Sequence, residues 1–78
     1  MAARDPEYRS IVEALVRGRK TAGLTQMELA NRLGKLQSYV SKIELCERRL
    51  DVVEFAHYAT ALGLDPCTVL RNALRNSK

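Results

Sequence analysis

The stretch from Thr25 to Glu44, TQMELANRLGKLQSYVSKIE, constrains the fold more than any other part of the chain. Thr25 and Glu28 stand in a T-x-x-E spacing, in which each side chain satisfies a free backbone amide at the other residue, so a helix starts there. Leu29, Ala30 and Leu33 face one side of it at helical spacing. Gly34 stops it, because glycine readily takes the left-handed backbone that closes a helix. A second short helix then fits from Gln37 to Leu45. Val40 and Ile43, three apart, turn inward, and Gln37, Ser38, Ser41 and Lys42 lie on the opposite side. A face that only meets water is usually rich in Glu and Lys. This one carries small polar groups and a single cation.

The flanking segments read as three more helices. Asp5 and Pro6 form an N-cap and a first-turn proline. Ile11, Val12, Leu15 and Val16 make an apolar stripe, Arg17, Arg19 and Lys20 crowd the last turn where cations suit the helix dipole, and Gly23 follows. Asp51 and Glu54 repeat the reciprocal cap. The helix they open carries Val52, Val53, Phe55, Ala56, Ala59 and Leu62 around much of its circumference, which predicts burial on more than one side before Gly63 ends it. Asp65-Pro66 opens a fifth helix with Val69, Leu70, Ala73 and Leu74 as its apolar stripe, and Asn76, Ser77 and Lys78 are expected to fray. No segment alternates apolar and polar residues for long. The fold class expected is all-α, one domain over residues 1–78.

Composition narrows the function. In 78 residues, 46% of them hydrophobic, there is enough apolar material for one core but little room for a core and an enzyme pocket together. No nucleophile–base pair, metal-ligand cluster or phosphate-binding glycine loop is visible, so an enzyme, a cofactor, a metal and a small-molecule ligand are not expected. Cys46 and Cys67 have no CxxC spacing, and the lone His57 cannot complete a zinc site. No apolar run suggests a membrane span or a signal peptide, so a cytoplasmic protein of a bacterial-type cytosol, with reduced thiols, is expected. The net charge of +4 is unevenly spread: residues 1–22 and 23–50 each carry five Lys/Arg against three Asp/Glu, whereas residues 51–78 carry three of each. The positive charge goes with the paired short helices, and the neutral last third is free to face another protein.

Two short helices, the second polar and cationic on its outer side, are the layout of a helix-turn-helix spanning about residues 25–45, in which the second helix enters the major groove of double-stranded DNA. The whole chain resembles the Cro/C1-type, or Xre, family of helix-turn-helix regulators. The resemblance runs through Leu24-Thr25-Gln26, Glu28-Leu29-Ala30, Leu33-Gly34, Ser38, Val40-Ser41-Lys42-Ile43-Glu44, Glu47-Arg48-Arg49, Val53, Ala59, Leu62-Gly63 and Asp65-Pro66, from about Tyr8 to Leu74. It implies a compact, lambda-repressor-like bundle of five helices. By position in the motif it implies that Gln37, Ser38 and Lys42 read bases, with Ser41 and Tyr39 beside them, and that Thr25 and Gln26 meet a phosphate. Arg48 and Arg49, just past the second helix, are expected to meet phosphates as well. Arg19 and Glu44 match a family pair that ties helix one to the end of helix three. Two positions depart from the family pattern. Leu36 stands where relatives place a capping residue or proline, and Cys46 stands where they place glycine.

The chemistry suits these roles. Glutamine can bridge N6 and N7 of adenine, and lysine can donate to O6 and N7 of guanine. A contact of a few base pairs is weak alone, so a homodimer on a palindromic operator is expected, acting as a repressor by occupancy. The fifth helix is the expected dimer element, because Val69, Leu70, Ala73 and Leu74 offer apolar surface at the end of a small domain. The competing reading is a protein-interaction module, such as an antitoxin-type partner, that uses the same fold without reading DNA.

Overall fold

The chain, described over residues 5–76 by a computed structural model, folds into α1 (Pro6–Thr21), α2 (Gln26–Leu33), α3 (Gln37–Glu44), α4 (Val52–Ala61) and α5 (Pro66–Asn76), with no strand among the described residues. The helices begin where the caps stand. Asp5 accepts from the Glu7 amide at 2.9 Å. Both reciprocal caps close: Glu28 and Thr25 exchange bonds of 3.0 and 2.8 Å, and Glu54 and Asp51 bonds of 2.7 and 3.0 Å. Leu36 precedes α3 with no side-chain cap at all. α5 extends through Asn76, one residue into the stretch expected to fray; Ser77 and Lys78 lie outside the described residues.

Four helices end by one device. A residue of positive φ turns the chain back, so that its own amide and the next one bond to the last carbonyls of the helix. Gly23, Gly34 and Gly63 do this for α1, α2 and α4. Cys46, at φ 60°, does it for α3, where the Glu47 amide reaches the Lys42 carbonyl at 2.8 Å. A non-glycine residue is strained in this region. The Cys46 side chain is nonetheless buried, in a small cluster with Tyr8 and Val12 that Val16 flanks.

The main core joins Leu15 of α1, Leu29 and Ala30 of α2, Val40 and Ile43 of α3, Tyr58, Ala59 and Leu62 of and just after α4, and Val69 of α5. α1 packs chiefly on α5, and α2 on α3. Gly18 marks a tight approach, since a Cβ there would meet the Leu64 side chain at 2.7 Å.

Two expectations are corrected. Val52 and Val53 are 83% and 62% exposed, so the burial expected of α4 does not reach its first two residues, although the helix packs on both α2 and α5. Its packing is carried by Tyr58, Ala59 and Leu62, with Phe55 of the first turn resting against the same core. On α5, Val69 and Ala73 are buried, and α5 rests mainly on α1, so they cannot offer surface to a second chain; Leu70 and Leu74 remain 39% and 38% exposed. Among the described residues no helix is long and apolar enough to cross a membrane.

Candidate nucleic-acid interface

α3 is held from behind. Val40 and Ile43 are fully buried, while Gln37, Ser38 and Lys42 are exposed and Ser41 is half-buried. Two buried positions three apart anchor one side of a two-turn helix and leave the other without a packing role. A shallow groove beside this face is lined by Gly34, Lys35, Leu36, Ser38, Tyr39, Lys42 and Arg48. Lys35 and Leu36 are not among the site residues expected from the sequence, where Leu36 stands out only as a missing cap. The Leu36 side chain makes no cap and is 79% exposed, and no sequence signal marks Lys35.

Tyr39 forms the wall of the groove. It is half-buried against the main core, with the Lys35 ammonium 5.2 Å and the Arg48 guanidinium 4.8 Å from the centre of its ring. Cations over an aromatic face are drawn to its negative quadrupole. Burial pushes the Tyr39 hydroxyl pKa up, with Glu54 adding to it, so the hydroxyl stays protonated at neutral pH. Arg48 also pairs with Glu54 at 3.2 Å. Glu54 is held below its ordinary pKa first by the Asp51 amide and then by Arg48. Arg49 is carried elsewhere: it lies 4.5 Å over the Tyr8 ring and 3.9 Å from the Asp5 carboxylate, and it does not line the groove. The Tyr8 hydroxyl fixes the loop between α3 and α4, donating to the Arg48 carbonyl at 3.2 Å and accepting from the Leu50 amide at 3.1 Å.

At the opposite end of the face stands the start of α2. The Thr25 side chain takes the Glu28 amide, which leaves the Gln26 and Met27 amides with no acceptor inside the helix. Those amides and the positive end of the helix dipole form an anion-attracting spot next to α3. The Gln26 side chain donates to Glu44 Oε1 at 2.8 Å and accepts from Gln37 Nε2 at 3.4 Å, so one of its two N–H bonds stays uncommitted.

Glu44 in turn is gripped by Arg19, through Nε at 2.6 Å and Nη2 at 3.1 Å, while Arg19 Nη1 donates to the Leu24 carbonyl at 2.8 Å. Their side chains are 12% and 11% exposed. The hydrogen bond to Glu44 raises the Arg19 pKa further, so the guanidinium is charged at any accessible pH. A fork-on-fork pair with little water around it fixes both orientation and spacing. It joins α1 to the end of α3. The nearby Tyr58 hydroxyl is buried without a hydrogen-bond partner among the described residues, and burial, reinforced by Glu44, raises its pKa. No group of three or more His, Cys, Asp or Glu that could hold a metal occurs among the described residues.

No protein-family model matches the chain, and no curated protein sequence does. Solved structures do. An XRE-family like protein from Pseudomonas syringae pv. tomato is 46% identical, over 86% of this chain and 82% of its own, with a TM-score of 0.83. The clp gene regulator ClgR from Corynebacterium glutamicum is 25% identical over 91% of this chain and 76% of its own, with a TM-score of 0.81. A second ClgR structure, 23% identical over 100% of this chain and 97% of its own with a TM-score of 0.82, agrees in fold. Close identity along most of both chains, on the same five helices, means that this chain belongs to the XRE family of helix-turn-helix proteins.

Proposed function

We propose that this XRE-family protein is a DNA-binding transcription regulator that recognises a palindromic operator as a homodimer and represses by occupying it. One observation carries the reading: the outer face of α3 takes no part in the core, because Val40 and Ile43 hold the helix from behind while Gln37, Ser38 and Lys42 stand exposed. In the major groove these three side chains would read base edges, with Ser41 behind them and Leu36 offering an apolar contact to a thymine methyl. Tyr39 would stand beside them as the wall that carries Lys35 and Arg48.

Phosphate contacts would come from the start of α2, through the Gln26 and Met27 amides, the Thr25 side chain and the free N–H of Gln26. Arg48 would add its charge from the groove. Arg49 would reach a phosphate only by leaving Asp5, a half-exposed partner that it meets at 3.9 Å. The exposed apolar residues at the start of α4 and on α5, Val52, Val53 and Leu70, support pairing with a second copy. Val52 and Val53 take the place of the buried Val69 and Ala73 in that role. The protein would then act in the cytoplasm of a bacterium, where its operator is.

Selection of binding sites from random duplex DNA tests this. The expected result is a palindromic consensus with half-sites about 10 bp apart, the spacing that places two recognition helices on one face of the duplex. Enrichment of a single, unpaired half-site would remove the homodimer, and no enrichment would remove sequence-specific recognition.

A further inference from the structure

The two arginine–glutamate pairs of the domain use different edges of the guanidinium. Arg19 gives Glu44 its side edge, Nε and Nη2, at 2.6 and 3.1 Å, and spends Nη1 on the Leu24 carbonyl at 2.8 Å. Arg48 gives Glu54 its far end, Nη1 and Nη2, at 3.4 and 3.2 Å, and Nη1 also donates to the Arg49 carbonyl at 3.1 Å. None of these Arg48 bonds uses Nε. We propose that Glu54 and Tyr39 are positioning residues for DNA binding, which fix the Arg48 guanidinium so that its open side edge grips one phosphate of the DNA backbone. The inference rests on the reading of α3 as the major-groove helix.

The geometry of the side chain leads to this. A guanidinium carries five N–H donors in a planar fork and no acceptor. Glu54 and the Arg49 carbonyl take both N–H bonds of Nη1 and one of Nη2. The two that remain, on Nε and Nη2, lie side by side on one edge. Two parallel donors on one edge match two oxygens of a phosphate. The face of the group is occupied as well, because the centre of the Tyr39 ring is 4.8 Å from Cζ. With one edge on a carboxylate and one face on a ring, the guanidinium has a single orientation and a single edge to offer.

The holders are themselves fixed. Glu54 is part of the α4 cap: its Oε1 accepts from the Asp51 amide at 3.0 Å, and its own amide donates to Asp51 at 2.7 Å. Tyr39 belongs to α3 and packs against the main core. The Arg48 backbone is tied too, its carbonyl to the Tyr8 hydroxyl at 3.2 Å and its amide to the Lys42 carbonyl at 3.3 Å. A loop arginine is thus oriented from α1, α3 and α4. A long side chain that is ordered only on binding costs conformational entropy, and one ordered beforehand avoids most of that cost. The position suits the role, since Arg48 lines the groove that Ser38 and Lys42 also line. Lys35, 5.2 Å from the same ring, brings a second cation to that groove. The Arg19 pair is nearly closed to solvent, whereas the Arg48 and Glu54 side chains are 41% and 25% exposed.

The test uses the full chain and the selected operator, with one phosphate at a time replaced by a neutral methylphosphonate. The phosphate gripped by Arg48 is the one whose replacement weakens binding of the wild-type chain and has no effect on Arg48→Ala. At that position the wild-type loss is expected to be about tenfold, the scale of a charge-assisted hydrogen bond. It is expected to shrink to about twofold in Glu54→Gln and in Tyr39→Leu, where the same arginine must be ordered on binding. Tyr39→Phe, which keeps the ring, is expected to restore the full loss. Overall affinity is not the readout, because removing the Glu54 charge favours DNA at long range whatever Arg48 does. A fault in folding weakens every position alike and leaves the profile unchanged in shape. If the loss at the Arg48 phosphate is unaltered in Glu54→Gln, Glu54 only caps α4 and the proposal fails. If the loss grows, Glu54 withholds Arg48 from DNA, which also overturns it. Glu54→Gln decides the matter if Tyr39→Leu does not fold. When Gln37→Ala and Lys42→Ala weaken operator binding but no phosphate depends on Arg48, this inference alone fails; when they do not, the reading of α3 fails first.

Discussion

α2 and α3 are helices of equal length, eight residues each, side by side in one motif, yet they are made in different ways. α2 is specified by its own ends. Thr25 and Glu28 cap its start in both directions, and Gly34, at φ 68°, closes its end without strain. α3 has neither advantage. Leu36 leaves its start uncapped, and Cys46 turns its end at φ 60° with a side chain attached. What keeps α3 in place lies outside it: Val40 and Ile43 in the main core, and Glu44 on Arg19 of α1. A helix this short is marginal on local terms alone. Holding it by long-range contacts leaves its outer face free of structural work, which is the property a reading surface needs.

Removing a long-range hold should therefore hurt more than removing a local one. Ile43→Ala, at a fully buried position, is expected to cost about 3 kcal/mol of unfolding free energy by denaturant titration, through lost burial and a residual cavity. A loss below about 1 kcal/mol would mean that α3 does not depend on its core anchors. The caps give the smaller and opposite pair of effects. Thr25→Ala should destabilise by about 1 kcal/mol, because α2 loses the bond to the Glu28 amide. Leu36→Ser should stabilise, by up to about 1 kcal/mol, because it supplies the cap that α3 lacks and removes a side chain that is 79% exposed. If Leu36→Ser were as damaging as Thr25→Ala, the contrast between the two helices would be wrong.

The smallest effect concerns pH. The Thr25 amide, and then its hydroxyl, hold the Glu28 carboxyl below its ordinary pKa of 4.5. A depressed folded pKa means that the unfolded chain binds the proton more readily. The contribution to stability is complete above about pH 4.5 and is lost as the pH falls below it through the folded value. Glu28→Gln, which keeps a hydrogen-bonding group but cannot titrate there, should show a flatter decline of stability from pH 4.5 downward than the wild-type chain. Equal slopes would detach the Glu28 carboxylate from the α2 cap.

Much of this was legible in the sequence because it is local. Caps, positive-φ glycines and the inward spacing of Val40 and Ile43 each act within a few residues, and the exposed outer face of α3 follows from them by elimination. What was not legible depends on how far a neighbour reaches. The stripe Val69, Leu70, Ala73 and Leu74 is too wide for one contact, so α1 covers two of its members and leaves two partly exposed, a division that periodicity alone does not reveal. Val52 and Val53 look like core residues by composition and stand exposed, while Phe55 in the same turn is the residue that meets the core. Arg48 and Arg49 read as equivalent cations, but one is claimed by Glu54 and Tyr39 and the other by Asp5 and Tyr8. The line from Glu44 through Gln26 to Gln37 crosses separations of 18 and 11 residues, for which the resemblance supplied only the ion pair at its end.

The central claim is that the outer face of α3 reads DNA, and operator affinity in Gln37→Ala and Lys42→Ala tests it most directly. Each substitution removes an exposed side chain from a helix anchored elsewhere, so folding should survive. Each is expected to weaken binding to the selected operator by about 1–3 kcal/mol and to relax preference at its own base pair. Folded variants that bind that operator as tightly as the wild-type chain would contradict the account.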